Sequence, residues 1–368
     1  MRIAFALLLF FHGLIHVLGL MKSLDPDKVP QLVLPISRRM GFLWLLAEGL
    51  FTLTLVALFV LPGWWWLPGL LAVVLSQGLI FTVWRDARFG TFANVMILTG
   101  VSLGFLMQGP LSLRAEYDRE QAAVLTQMPT PRPITQADLD RLPGSVRHYL
   151  QMSALKPAVA TANFQARFKG RIRSGPQAPW MPFTAQQTEA FHTPVRLFYM
   201  DATMRGFPVQ VLHVYRGTTA TMRVKALGLV TLVDAKGPAL DRAETVTLFN
   251  DMCVLAPGSL TDPRIRWQAL DDRHTRATFT NGGQTITADL FFNEQGELVD
   301  FHSDDRTKAS SDGKTFDPAG WTTPLRAYRS FGPWRLSSRA EVKWHPKEGA
   351  FTYGEFELQE ITHNLDHP

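Results

Sequence analysis

The chain has 368 residues, a formal net charge of +5 and 46% hydrophobic residues, which leaves room for two or three domains. Its single cysteine, Cys253, excludes an intramolecular disulfide framework and any cysteine-rich metal site. The basic excess forms no block with interleaved aromatics, so no nucleic-acid partner is expected. Apolar residues are unevenly spread. Residues 1–113 carry few charges and long apolar runs, whereas residues 114–368 read as an ordinary folded domain.

Four segments, about 3–21, 40–61, 64–84 and 91–111, are long and apolar enough to span a bilayer. The first lacks a small-x-small cleavage site after "VLGLMKSL" and reads as a retained helix rather than a signal peptide. The first loop carries Lys22, Lys28, Arg38 and Arg39, the third Arg85 and Arg88, and the second, "LPGWWW", no basic residue. Basic loops stay cytoplasmic, which predicts an inner-membrane four-helix bundle over 1–113 with everything after residue 113 facing the periplasm.

Few polar side chains interrupt these spans. His12 and His16 share a helix face in "FFHGLIHVLG", and Glu48, Ser76, Gln77 and Asn94 come later. Counted from the cytoplasmic ends at about 1.5 Å per residue, they fall into one slab roughly 9 Å thick. A polar cluster of His12, His16, Glu48 and Gln77 is therefore expected, with His12 approaching Glu48. Ionisable groups in lipid are costly and usually functional. The cluster fits haem or metal ligation by His12 and His16, a proton relay, a bound head group, or a hydrogen-bond network that fixes helix register. A lone His pair names no metal.

Residues 114–156 read as a connector: "PTPRP" breaks the preceding helix, Thr135 and Asp138 have capping-box spacing, and Pro143 starts a short helix with Val146, Tyr149 and Leu150 inside. From about residue 158 the period becomes two, as in "ANFQARFKGRI" and "TITADLFF", and roughly ten to twelve strands follow in residues 157–368. One segment, "DRAETVTLFNDMCVLAPG", interrupts them as a helix over 241–256, with Asp241 and Glu244 in capping spacing. Val246, Phe249, Cys253 and Ala256 form one apolar stripe; Leu248, Met252 and Leu255 form another. A helix this broadly apolar needs cover on most sides, which a curved antiparallel sheet supplies.

The succession "LPGSVRHYL", the apolar helix, "RIRWQALDD", "FFNEQGELVDF", "SDDR" and "FTYGEFELQEI" resembles a family of uncharacterised bacterial membrane proteins. Their C-terminal domain is similar to the lipoprotein-carrier (LolA-like) fold, an incomplete β-barrel closed by helices. The N-terminal half resembles DoxX-like four-helix membrane modules in span number and texture. The resemblance implies a lipophilic ligand between the concave sheet and the 241–256 helix. Inward apolar positions expected to line that cavity are Phe164, Phe168, Phe249, Met252, Leu290, Phe292 and Phe301.

Catalytic candidates are weak. Strand parity turns His302 and Asp304 to solvent and Asp305 toward the apolar side with an arginine, and Cys253 reads as a buried structural thiol. The sequence has no GxSxG, HExxH, P-loop or dinucleotide fingerprint. The reading is binding or transfer of a lipid or other apolar molecule, without covalent chemistry and with membrane lipids as partners. The alternatives are a membrane redox or cofactor protein built on the His12/His16/Glu48 cluster and an envelope scaffold that docks another envelope protein.

Overall fold

A computed structural model describes residues 2–126, 130–156, 159–310 and 313–365. The chain divides into two compact units, Met1–Glu116 and Tyr117–Pro368. The expected domain boundary at residue 157, and Pro129 of the PTPRP break, lie outside the described residues.

In the first unit the apolar segments form α1 (Arg2–Leu24), α2 (Arg38–Val60), α3 (Trp66–Thr82), a short α4 (Trp84–Ala87) and α5 (Gly90–Gln108). Arg2–Leu24, Arg38–Val60 and the stretch Gly90–Leu125 are long and apolar enough to cross a membrane; Trp66–Thr82 is equally apolar but shorter. Glycines let α1 and α2 approach closely. A Cβ added to Gly19 would lie 2.4 Å from the Trp44 ring, and one on Gly13 would lie 3.0 Å from Phe51. Small residues let apolar helix backbones approach closely, which increases the packing contact between them.

The second unit takes in α6 (Leu113–Leu125) from Tyr117 onward, then α7 (Gln136–Asp140) and α8 (Gly144–Ser153). Thr135 and Asp138 form the reciprocal capping box at the start of α7. Arg132 and Arg141 pair with the same Asp138 carboxylate. On α8, Val146, Tyr149 and Leu150 enter the core, so this stretch of the expected connector packs as part of the sheet unit.

The strands are β1 (Asn163–Ile172), β2 (Met181–Ala190), β3 (Val195–Met204), β4 (Phe207–Arg216), β5 (Thr219–Ala226) and β6 (Val230–Lys236), followed by α9 (Pro238–Leu255). After α9 come β7 (Ile265–Ala269), β8 (His274–Asn281), β9 (Gln284–Phe292), β10 (Leu298–Ser303), β11 (Thr307–Ala309), β12 (Phe316–Pro318), β13 (Gly320–Thr322), β14 (Leu325–Phe331), β15 (Trp334–His345) and β16 (Phe351–His363). Fourteen form one antiparallel sheet in the order β6-β5-β4-β3-β2-β1-β16-β15-β13-β10-β9-β8-β7, with β14 on β15. Its outer strands β6 and β7 do not pair with each other, so the barrel stays open. Sixteen strands are described against the ten to twelve expected; β11, β12 and β13, with three residues each, are too short to show a period and make up most of the excess.

The central helix begins at Pro238 rather than at Asp241. Pro at the first position suits a helix start, since its missing N–H would have no partner there. The two acidic residues expected to cap it serve the tertiary structure instead. Asp241 accepts a hydrogen bond from the Ala220 backbone N–H at 2.6 Å, and Glu244 pairs with Arg196.

Candidate functional site

The helix α9 treats the two arms of the sheet differently. Against β7–β10 the interior is solid: Phe249 stacks on Phe279 with centroids 5.1 Å apart, and it meets Phe301 at 5.8 Å and Trp267 at 6.2 Å. Val246, Met252 and Cys253 are fully buried beside it. Against β1–β6, β15 and β16 the opposite stripe of the helix faces a cavity of about 460 Å³. That stripe runs Leu240, Ala243, Glu244, Thr247, Asn250, Asp251 and Val254, which recur at helical spacing.

Cavity walls come from inward-facing alternate residues: Phe198, Met200 and Ala202 on β3, Val209 and Val211 on β4, Met222 and Val224 on β5, and Phe356 on β16. The lining reaches the tips of the β3–β4 and β5–β6 hairpins through Met204 and Leu232, with Met181, Arg173 and Ser174 of the neighbouring β1–β2 turn beside them.

The other end of the cavity is polar. Arg196 of β3 bonds Asp251 at 2.7 Å and lies 3.2 Å from both Glu244 and Glu189. Gln187 donates to Asp251 at 2.8 Å and to Glu189 at 3.2 Å. His213 approaches Glu244 at 3.5 Å and Arg306 approaches it at 3.7 Å. Arg306 also lies over the Trp321 ring at 4.3 Å and donates to the Tyr353 hydroxyl at 3.3 Å.

Burial and pairing settle the charges of this floor. Burial alone would raise the Glu244 carboxyl, but His213, Arg196 and Arg306 outweigh it and hold the group at about 2. Glu189 goes the other way. Complete burial, then the neighbouring Asp251 charge, push it well above the usual carboxylate range despite Arg196. A single guanidinium shared among three carboxylates cannot keep all of them ionised in a low-dielectric interior. Glu189 Oε2, His213 Nδ1 and Arg306 Nε are buried without a hydrogen-bond partner. The floor is therefore incompletely satisfied, unlike a closed ion-pair network.

Of the seven residues expected to line a cavity, only Phe168 does so. Phe164, Phe249, Met252, Leu290, Phe292 and Phe301 lie in the packed core instead, each at most 5% exposed. Apolar residues chosen for burial mark the filled arm. The hollow arm is marked by the mixed polar stripe of α9, which showed no period of apolar residues. Cys253 is buried, and burial followed by the Asp251 charge raises its thiol well above the usual range, away from nucleophilic use. Asp304 is 81% exposed at its side chain, and Asp305 bonds Arg242 and the Thr287 N–H.

In the helical unit, His12 and His16 do meet other polar groups. His12 Nε2 bonds Asn94 Oδ1 at 2.8 Å, and His16 Nε2 bonds Ser76 Oγ at 2.8 Å. His16 Nδ1 bonds the His12 carbonyl at 2.7 Å. Asn94 donates to Ser76 at 3.0 Å and to Gln77 at 3.1 Å, tying α1, α3 and α5 together. Glu48 is not part of this set. Its carboxylate accepts from Thr52 on its own helix at 2.8 Å, and the expected approach of His12 to Glu48 is replaced by the bond to Asn94. The depth count placed Glu48 at the right level but carried no information about helix rotation. Among the described residues no group of three or more His, Cys, Asp or Glu could hold a metal ion.

Two solved structures with similar chain paths are a LolA superfamily protein from Nitrosomonas europaea and a DUF1329 family protein from Desulfovibrio piger. The first is 11% identical with a TM-score of 0.34, covering 61% of this chain and 94% of the other. The second is 12% identical with a TM-score of 0.35, covering 64% and 94%. Scores of this size do not establish a common fold, so the architecture rests on the sheet itself. No curated protein matches. The model of a family of unknown function, DUF6544, matches residues 132–356. That span takes in α7, α8, α9 and almost the whole sheet but none of the expected membrane spans, and on it the chain belongs to the DUF6544 family.

Proposed function

We propose that the sheet unit holds one largely apolar molecule with a small polar head, of the lipid or acyl-chain class, and performs no covalent chemistry on it. The observation that carries this reading is the cavity of about 460 Å³, apolar along its walls and polar at one end. Pockets for single small ligands run from roughly 300 to 1,000 Å³ and pair an apolar lining with a few placed polar groups. The hydrocarbon would lie along Met200, Val211 and Met222, with the head toward Arg306 and Glu244.

In this reading the N-terminal helices anchor the chain in a bacterial inner membrane. The basic first and third loops lie in the cytoplasm and the sheet unit in the periplasm. The apolar residues that the bundle turns outward, such as Leu7, Phe11, Phe42, Val74 and Phe92, support contact with lipid. The His12–Asn94 and His16–Ser76 bonds favour a register-fixing role for the polar cluster, because both histidines already have side-chain partners on other helices.

The test uses the full-length protein in detergent with doxyl-labelled stearate as the probe, followed by electron paramagnetic resonance. An immobilised spectral component larger than the one given by probe on the helix surface is expected, and Val211→Trp, which fills the cavity from β4, should reduce it to that level. An equal immobilised component in both proteins would place all of the bound probe elsewhere and overturn the reading.

A further inference from the structure

The end of the cavity lined by Met181, Met204 and Leu232, with Arg173 and Ser174 beside them, borders an unusual surface. The tips of two hairpins lie side by side there: Met204 pairs with Phe207 across the β3–β4 turn, and Ala226 pairs with Val230 across the β5–β6 turn. The Leu227 N–H donates to the Pro208 carbonyl at 2.9 Å and joins the two tips into one lip. Phe207 is 59% exposed, Leu229 65%, Val230 51% and Leu232 39%. Elsewhere in the sheet unit, large apolar side chains this exposed occur singly among the described residues, as at Leu155 and Leu270. Scattered exposed apolar residues need no explanation, but a contiguous group does.

Two further observations say what covers the lip. The first is charge. Across 173–180, 201–210 and 223–232, the β1–β2, β3–β4 and β5–β6 tips, the basic residues are Arg173, Arg205, Arg223 and Lys225 against Asp201, with Asp234 standing opposite Arg223; the β15–β16 tip at the same end adds Lys347 and Glu348, so the fringe stays net basic. Asp201 is occupied by the Tyr199 hydroxyl at 2.7 Å. The second is continuity: Met204, Val209 and Leu232 line the cavity and belong to the same two hairpins, so the lip is its rim. The turn itself presents the apolar group at a conformational cost. Leu227 has φ +56° ahead of Gly228 at +68°, a left-handed position that Asn, Asp or Gly ordinarily fill.

We propose that this lip seats on the surface of a lipid bilayer rich in anionic head groups, with Phe207, Leu229 and Val230 among the upper acyl chains and Arg205 and Lys225 against phosphates. Apolar side chains next to a basic fringe are the composition of interfacial anchors, which gain from both burial and electrostatic attraction. A protein partner would have to match the basic fringe with acidic side chains, whereas an anionic leaflet supplies that charge over any area. Seating there brings the cavity mouth to the hydrocarbon, where an apolar ligand enters or leaves without crossing water. The inference rests on the exposure and charge of the lip, not on what the cavity holds.

The test places a bimane probe at Leu229→Cys in the full-length protein, reconstituted in vesicles of phosphatidylcholine and phosphatidylglycerol. The native Cys253 is buried and stays unlabelled. Glu294→Cys, on an exposed polar turn, serves as the control. At residue 229, quenching by doxyl-labelled lipid and protection from iodide are expected, with the reverse at residue 294. Val230→Cys should repeat the result at 229, which guards against a local defect of one variant. Adding Arg205→Glu and Lys225→Glu should remove the lipid quenching. Iodide access at 229 equal to that at 294 would overturn the proposal. Protection from both quenchers would overturn it as well, because a second copy or another protein would then cover the lip. A wet lip over a loaded cavity refutes the lip alone; a seated lip over a cavity that binds no stearate refutes the cavity reading alone.

Discussion

The two arms of the sheet meet the same helix and use it in opposite ways. Against β7–β10, α9 presents Phe249, Met252 and Cys253, and the aromatic stack with Phe279 and Phe301 fills the space. Against β1–β6 it presents Glu244, Asn250 and Asp251, and the space stays open. One helix thus acts as a plug on one side and as a cavity floor on the other. In this interior the open space lies along the polar face of the buried helix rather than along its greasiest stripe. Close packing resists voids, and a void persists where the facing groups gain more from one another than from collapse.

The largest effects are expected from truncating one side chain in each arm. Phe249→Ala in the filled arm should cost about 3–5 kcal/mol, because a rigid aromatic cluster cannot collapse into the space it leaves. Val211→Ala in the hollow arm should cost only about 1 kcal/mol, since the residue already borders open space and loses little beyond its own transfer energy. Chemical denaturation of the two full-length variants in detergent, followed by tryptophan fluorescence, measures both. Equal costs would mean that the hollow arm is packed.

The two ends of α9 respond to acid in different pH ranges. His363 donates from Nε2 to the Leu255 carbonyl at 2.7 Å and so holds the C-terminal end of the helix. Burial lowers its imidazole to about 4 against the pull of that bond, so the folded protein keeps it neutral. Its contribution is fully present above the ordinary histidine range near 6.5 and is lost as pH falls toward 4, by up to about 3 kcal/mol. Glu244, held at about 2, keeps its contribution until pH drops below the usual carboxylate range. Glu189 opposes both, because a carboxyl raised by folding stabilises at low pH and loses that effect as pH rises. Stability measured from pH 7 to 4 should therefore fall less in His363→Gln, which retains a donor for Leu255 without the titration. Identical slopes in the variant and the parent protein would contradict the assignment.

Much of this was legible in the sequence, and the rest was hidden for identifiable reasons. Period-two alternation marked long strands such as Asn163–Ile172 and Gln284–Phe292, and capping chemistry marked α7 at Thr135 and Asp138. Spacing brought His12 and His16 onto one helix face, but Asn94 and Ser76 became their partners through helix rotation, which a depth count does not contain. The cavity was harder still. Hydrophobicity predicts burial, and burial led to Phe249 and Phe301, whereas the polar end of the open space is bounded by Arg196, Glu244 and Arg306, which come from β3, α9 and the segment before β11, far apart in the chain. A signal was present in Glu244, Asn250 and Asp251, which recur at helical spacing inside a segment otherwise too apolar to need them.

The hollow arm is proposed to hold one apolar molecule. The most direct test is photocrosslinking of the full-length protein in vesicles with a diazirine-bearing palmitate, followed by peptide mapping. Adducts on β3, β4 and β5, at Met200, Val211 and Met222, are the predicted result, with loss of those adducts in Val211→Trp. Adducts confined to residues 2–108, unchanged by Val211→Trp, would contradict the account.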